Sequence, residues 1–117
     1  MVDTEGRIVL CGANSYEQKF YFNEQFSSLP AGIQDDLKMI CVAYTEDIGG
    51  VLTMEFEEDG SLYLRSIADD ADYLYDEVGA GLKIHQIQVE RRELLESLEL
   101  YYKVFYLGIS EEELEED

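Results

Sequence analysis

The sequence predicts an α+β domain in the order β-β-α-β-β-α: a four-stranded antiparallel sheet with two helices on one face, the second helix long and C-terminal. Three observations predict it. Two runs near the N-terminus and two in the middle alternate apolar and polar residues with period two. Residues 33–44 and 84–105 repeat apolar residues at spacings of three and four instead. Gly, Asn, Asp and a single Pro punctuate the intervals.

Residues 7–13 form the first strand, with Ile8 and Leu10 on one face and Val9 and Cys11 on the other. Gly12, Asn14 and Ser15 supply turn chemistry, and residues 19–23 alternate again, Phe20 and Phe22 against Lys19, Tyr21 and Asn23. These two runs make a hairpin. Phe26 and Leu29 are apolar plugs in the loop that follows. Pro30 opens a helix, where its missing N–H is no loss. Ile33, Leu37, Ile40, Cys41 and Tyr44 share one stripe of that helix, which Gly49-Gly50 ends.

Residues 51–58 and 61–68 are the clearest strand pair. A three-residue loop of Glu58, Asp59 and Gly60 sets Phe56 opposite Leu62 and Met54 opposite Leu64. It gathers Leu52, Met54, Phe56, Leu62 and Leu64 on one face and leaves Thr53, Glu55, Tyr63 and Arg65 on the other. A slip of one residue mixes the faces, so this loop is expected, with Gly60 left-handed.

Asp69, Asp70, Ala71 and Asp72 read as a loop and a helix N-cap. Leu74, Val78 and Leu82 begin a helical pattern that Gly79 and Gly81 either break or allow to lie close to the sheet. From there Ile84, Ile87, Arg91, Leu94, Leu98, Tyr101 and Phe105 alternate spacings of three and four, and Leu95 and Tyr102 widen the stripe. Glu99 and Lys103 stand four apart in the favourable order for an ion pair. Leu100, Val104 and Leu107 lie on the opposite side, so the last two turns are apolar nearly all round. Three readings follow: a helix end sunk in the core, a final strand, or a self-association surface. Residues 1–109 are expected to form one domain and residues 110–117 an acidic, disordered tail.

Composition excludes several function classes. Among 117 residues, 27 acids against 8 bases give a formal charge of −19. Contact with nucleic acid or an anionic membrane needs Lys and Arg, so neither partner is expected. No run approaches the ~18–20 apolar residues of a membrane span, and the acidic N-terminus does not read as a secretory signal, so the cytoplasm is expected. Cys11 and Cys41 form no CxxC and are expected to be buried free thiols.

No grouping selects a catalytic, cofactor or metal site. His85, the single histidine, has no second His or Cys near it in sequence and reads as a surface or boundary residue. The acids between Glu55 and Glu77 miss the calcium-loop pattern, since Tyr75 stands where a glycine is required. Gly79-Ala80-Gly81 is too short for a phosphate loop.

The segments 9–22 (VLCGANSYEQKFYF), 44–50 (YTEDIGG) and 98–108 (LELYYKVFYLG) resemble an uncharacterised family of small acidic proteins of anaerobic Firmicutes, known only as a domain of unknown function. The resemblance spans nearly the whole chain. It implies a cytoplasmic bacterial protein and brings no activity, cofactor or catalytic residue.

The leading expectation is a non-enzymatic protein-interaction module, homodimeric through the C-terminal helix at Leu100, Val104 and Leu107. Two alternatives stand beside it. One is an acidic decoy of nucleic acid that occupies a basic protein. The other is a small ligand-binding domain or enzyme using the 12–18 loop, where Asn14, Ser15, Tyr16 and Glu17 cluster polar groups beside Cys11.

Overall fold

A computed structural model describes residues 6–109; the acidic segment 110–117 lies outside the described residues. Four strands, β1 (Ile8–Asn14), β2 (Lys19–Phe22), β3 (Val51–Phe56) and β4 (Leu62–Ile67), pair antiparallel in the spatial order β2-β1-β3-β4. Between the two hairpins runs α1 (Ala31–Ile48), and after them come α2 (Glu77–Glu90) and α3 (Arg92–Phe105). Because β2 is an edge and β3 lies on the far side of β1, the connection through α1 must cross β1. α1 accordingly packs on β1, β2 and β3. α3 reaches the sheet at β4, and α2 packs against α1 and α3.

The second hairpin has the expected register, with Phe56 opposite Leu62 and Met54 opposite Leu64. Glu57 N–H donates to the Ser61 carbonyl (2.8 Å) and Gly60 N–H to the Glu57 carbonyl (2.9 Å). Gly60 takes φ +93°, and a Cβ there would stand 2.7 Å from Lys103 Cγ, so both conformation and space demand glycine. Leu52, Met54 and Phe56 are fully buried in one core with Leu37, Ile40, Cys41 and Tyr44 of the expected α1 stripe, whose Ile33 is partly buried. Phe26 and Leu29 plug the core as expected.

The first strand departs from simple alternation. Its pairing with β3 shifts between Val9 and Cys11, and Leu10 and Cys11 are both fully buried, where alternation would put them on opposite faces. The extra residue is a β-bulge. Asn23 holds it: its Nδ2 donates to the Val9 carbonyl (2.8 Å), and its backbone N–H to the Leu10 carbonyl (2.9 Å). Its Oδ1 accepts the Gln25 N–H (3.0 Å) and so caps the 3-10 turn Glu24–Phe26. Nothing in the apolar–polar pattern marks a bulge whose added residue is itself apolar.

The C-terminal half differs more. The expected single long helix is broken at Arg91 (φ −112°, ψ 26°) into α2 and α3, giving the order β-β-α-β-β-α-α. Of the expected stripe α3 buries Leu95, Leu98 and Tyr102 and packs Leu94 and Tyr101 partly against the core, while Arg91 and Phe105 are exposed. The final-strand reading of 100–107 is overturned by α3, which is helical to Phe105. Glu99 turns away from Lys103 and accepts the Leu62 N–H at the start of β4 (2.7 Å).

The expected helix start near Asp72 is also corrected, because α2 begins at Glu77 after Asp76. Upstream, short-range bonds hold the chain in turns: Ala71 N–H to Asp69 Oδ1 (2.9 Å) and Tyr75 N–H to the Asp72 carbonyl (3.3 Å). Aspartate side chains compete in this way with helix propagation. α2 is continuous through Gly79 and Gly81. Of the helical pattern expected to begin with Leu74, Val78 and Leu82, Leu74 lies before α2, and all three side chains are exposed. Ala80, Ile84 and Ile87 face inward.

Cys11 on β1 and Cys41 on α1 are free, buried thiols with their sulfurs 3.9 Å apart. The contact with Cys41, together with burial, pushes the Cys11 thiol well above its ordinary range. On the face of the sheet away from α1, Glu55 is buried. One carboxylate oxygen accepts from Arg65 Nη2 (3.0 Å) and the other from Thr53 Oγ1 (2.6 Å).

Two outcomes are expected. Asn23→Ala leaves a buried carbonyl without its donor and uncaps the turn, and should lower the unfolding free energy by about 1–3 kcal/mol in a urea titration. The folded state favours the neutral Cys11 thiol, so stability should fall as pH rises past about 8.5, where an unfolded thiol ionises and the folded one does not. Below that pH, alkylation of both cysteines should proceed only as fast as the core opens.

Candidate functional site

A cavity lies where the β1–β2 hairpin meets α1. Its volume is about 580 Å³. Ala13 and Asn14 from β1, Ser15 and Gln18 from the connecting loop, and Lys19 and Phe20 from β2 form one wall. Lys38, Val42, Thr45 and Glu46 form the other. These last four are spaced by four, three and one along α1, a stripe beside the one that faces the core.

Local chemistry shapes the loop wall. Asn14 Oδ1 accepts the N–H groups of Tyr16 (2.9 Å) and Glu17 (3.2 Å), an Asx turn that ends β1. Ser15 N–H donates to the Gly50 carbonyl (2.9 Å), tying the loop to the end of α1. Gln18 takes φ +54° to close the four-residue connection. The Tyr16 hydroxyl donates to Asp72 Oδ2 (2.7 Å) and accepts the Asp69 N–H (3.0 Å). It therefore latches the hairpin to the turns before α2, and the bond to Asp72 raises its pKa. Of the four polar loop residues singled out from sequence, Asn14 and Ser15 line the cavity; Tyr16 and Glu17 do not.

Among the described residues three of the 8 bases stand in ion pairs, and five, Lys19, Lys38, Arg91, Arg92 and Lys103, do not; two of those five meet at the cavity. Arg7 pairs with Glu57 (3.4 Å), Arg65 with Glu55 (3.0 Å) and Lys83 with Asp47 (3.5 Å). Among the described residues neither Lys19 nor Lys38 has an ion-pair partner. Sequence reasoning missed both lysines and Thr45. Lys19 and Lys38 are 19 positions apart, and only the crossing of α1 over the hairpin brings them to one cavity. The available signal was their share of the bases, two of 8.

None of the three expected self-association residues is buried. Leu100 is 48% exposed, Val104 is half-buried, and Leu107 lies beyond the end of α3 with its side chain close over Gly60. The same helix end is anchored inward by aromatic rings. Tyr102 stacks on Phe56 (4.3 Å between centroids) and on Tyr106 (5.2 Å), whose hydroxyl donates to the Gln25 carbonyl (2.7 Å). Burial, with a contribution from Tyr101, pushes the Tyr106 hydroxyl up to about 12.

A more open apolar surface lies on α2. Val78, Leu82 and Val89 are 73%, 67% and 50% exposed. With His85, also exposed, they repeat at spacings of four, three and four. They therefore occupy the side of the helix opposite Ala80, Ile84 and Ile87. From Val78 to Val89 there is no acid, in a chain where acids number 27 in 117.

Among the described residues no three potential metal ligands come together, and no helix is long and apolar enough to cross a membrane. No curated protein and no solved structure matches the chain. A family model does: residues 7–111 match a family of unknown function, DUF6145. With nearly its whole length inside that match, the chain belongs to the DUF6145 family.

Proposed function

We propose that this chain is an interaction module that pairs with a second copy of itself through α2. The observation that carries the reading is the outward stripe of Val78, Leu82 and Val89 on a helix that is acid-free between its ends. The absence of charge argues for the choice of partner. A basic partner is recognised through acids, and the stripe offers none. A second copy at −19 repels this one, so two copies can meet only where both surfaces lack acid. The outer faces of α1 and α3 are broken by Asp35, Asp36, Glu46 and Asp47, and by Glu93 and Glu96. α2 offers the longer acid-free helical stretch, from Val78 to Val89, against Leu100 to Phe105 in α3. Apolar side chains at spacings of three and four suit an antiparallel helix pair about a two-fold axis, which is self-complementary. The free thiols and the family resemblance support a bacterial cytoplasm as the setting.

Light scattering after size exclusion should give twice the chain mass of 13.4 kDa, and the dimer should tighten as salt screens the repulsion. Leu82→Asp should weaken pairing roughly tenfold or more with an unchanged circular dichroism spectrum, because Leu82 contributes nothing to the core. A monomer at every concentration and salt overturns the reading. So does a dimer that survives Leu82→Asp, or one dissociated instead by Leu100→Asp, which would place the surface on α3.

A further inference from the structure

We infer that the cavity between the β1–β2 hairpin and α1 is a binding site for a small organic anion, a carboxylate or phosphate ester with an apolar body. Its volume, about 580 Å³, lies in the middle of the range for sites that take metabolite-sized ligands. Ala13, Phe20 and Val42 give it an apolar part of its lining.

Its polar groups are mostly donors. Lys19 and Lys38 bring two ammonium groups without a carboxylate partner among the described residues. Asn14 has its Oδ1 occupied by two backbone N–H groups and keeps its amide N–H₂ to give. Against these stands one acid, Glu46. A molecule of charge −19 repels anions from most of its surface. A cavity that gathers two unpaired lysines runs against that field, and a bound anion supplies the charge they lack. Glu46 adds selectivity, because it accepts from a hydroxyl or ammonium of the ligand and repels a second anionic group placed beside it.

The walls are fixed before any ligand arrives. The Asx turn at Asn14, the Ser15–Gly50 bond and the Tyr16 latch onto Asp69 and Asp72 set the loop. α1, fixed against the sheet by its core stripe, sets the other side. A site formed in advance loses little free energy to ordering when it binds. The inference is independent of pairing through α2, since no residue of α2 lines the cavity.

The test is thermal unfolding at constant ionic strength with three probes: benzoate, phenyl phosphate and, as the uncharged control, benzyl alcohol. A ligand that binds only the native state must raise the midpoint, by about 5 °C at ten times its dissociation constant for a domain of this size. The expected result is a saturable rise with at least one of the two anions, none with benzyl alcohol, and loss of the rise in Lys19→Gln/Lys38→Gln. Lys103→Gln, outside the cavity, should keep it. Because both lysines are exposed, the double variant should fold, and its own midpoint without probe verifies this. No rise with either anion overturns the inference. So does an equal rise with benzyl alcohol, or a rise that survives in the double variant.

Discussion

A buried side-chain amide decides how this sheet is faced. Asn23 gives its Nδ2 to the Val9 carbonyl and its backbone N–H to the Leu10 carbonyl, and so fixes the one place where β1 carries an extra residue. Above the bulge, Val9 faces Glu55 on the side away from α1. Beyond it, Cys11 pairs with Met54 and Ala13 with Leu52 on the helix side. Without the extra residue, the strand would present one register to both ends of its partner, and Cys11 would leave the core. α1 depends on this arrangement, because its Cys41 meets Cys11 and its crossing of β1 follows from the strand order.

The features legible in the sequence share a property: each is set by local chemistry that reinforces a periodic pattern. The β3–β4 register follows from five apolar residues and a left-handed glycine. α1 follows from its stripe and the Gly49-Gly50 stop. The features that were not legible involve competition. Asp69 and Asp72 draw the backbone into turns where an apolar spacing suggested helix. At Arg91 the chain leaves helical geometry although the heptad-like spacing runs on across it. The outward stripe of α2 was visible as a pattern but not as a surface, because this helix is apolar on two opposite sides and sequence does not say which side is covered. Of the candidate cavity, Asn14 and Ser15 could be read from the hairpin loop. Lys19, Lys38 and Thr45 could not, since a crossing helix brings them to it.

Charge organises the rest. Three of the 8 bases pair with carboxylates and two lie at the cavity, and the buried acid Glu55 is sustained by Arg65 and Thr53. Between Glu77 and Glu90, by contrast, α2 carries no acid. α1 is common to both proposed surfaces. One side of it lines the cavity, and another packs on α2, with Lys83 reaching Asp47. A change in how α1 sits would therefore be felt at both.

The bond from the Leu62 N–H to Glu99 has a consequence for self-assembly of an unwanted kind. β4 is an edge strand, and an edge offers its backbone to any other extended chain. Here the opening residue of that edge is already engaged by a helix carboxylate, and α3 packs alongside. The opposite edge, β2, is only four residues long. The chain thus guards one margin by brevity and the other with a helix held by stacked aromatic rings. Detachment of α3 would uncover a template for strand addition, so the tyrosines that clamp the helix also protect the protein against fibrillar growth.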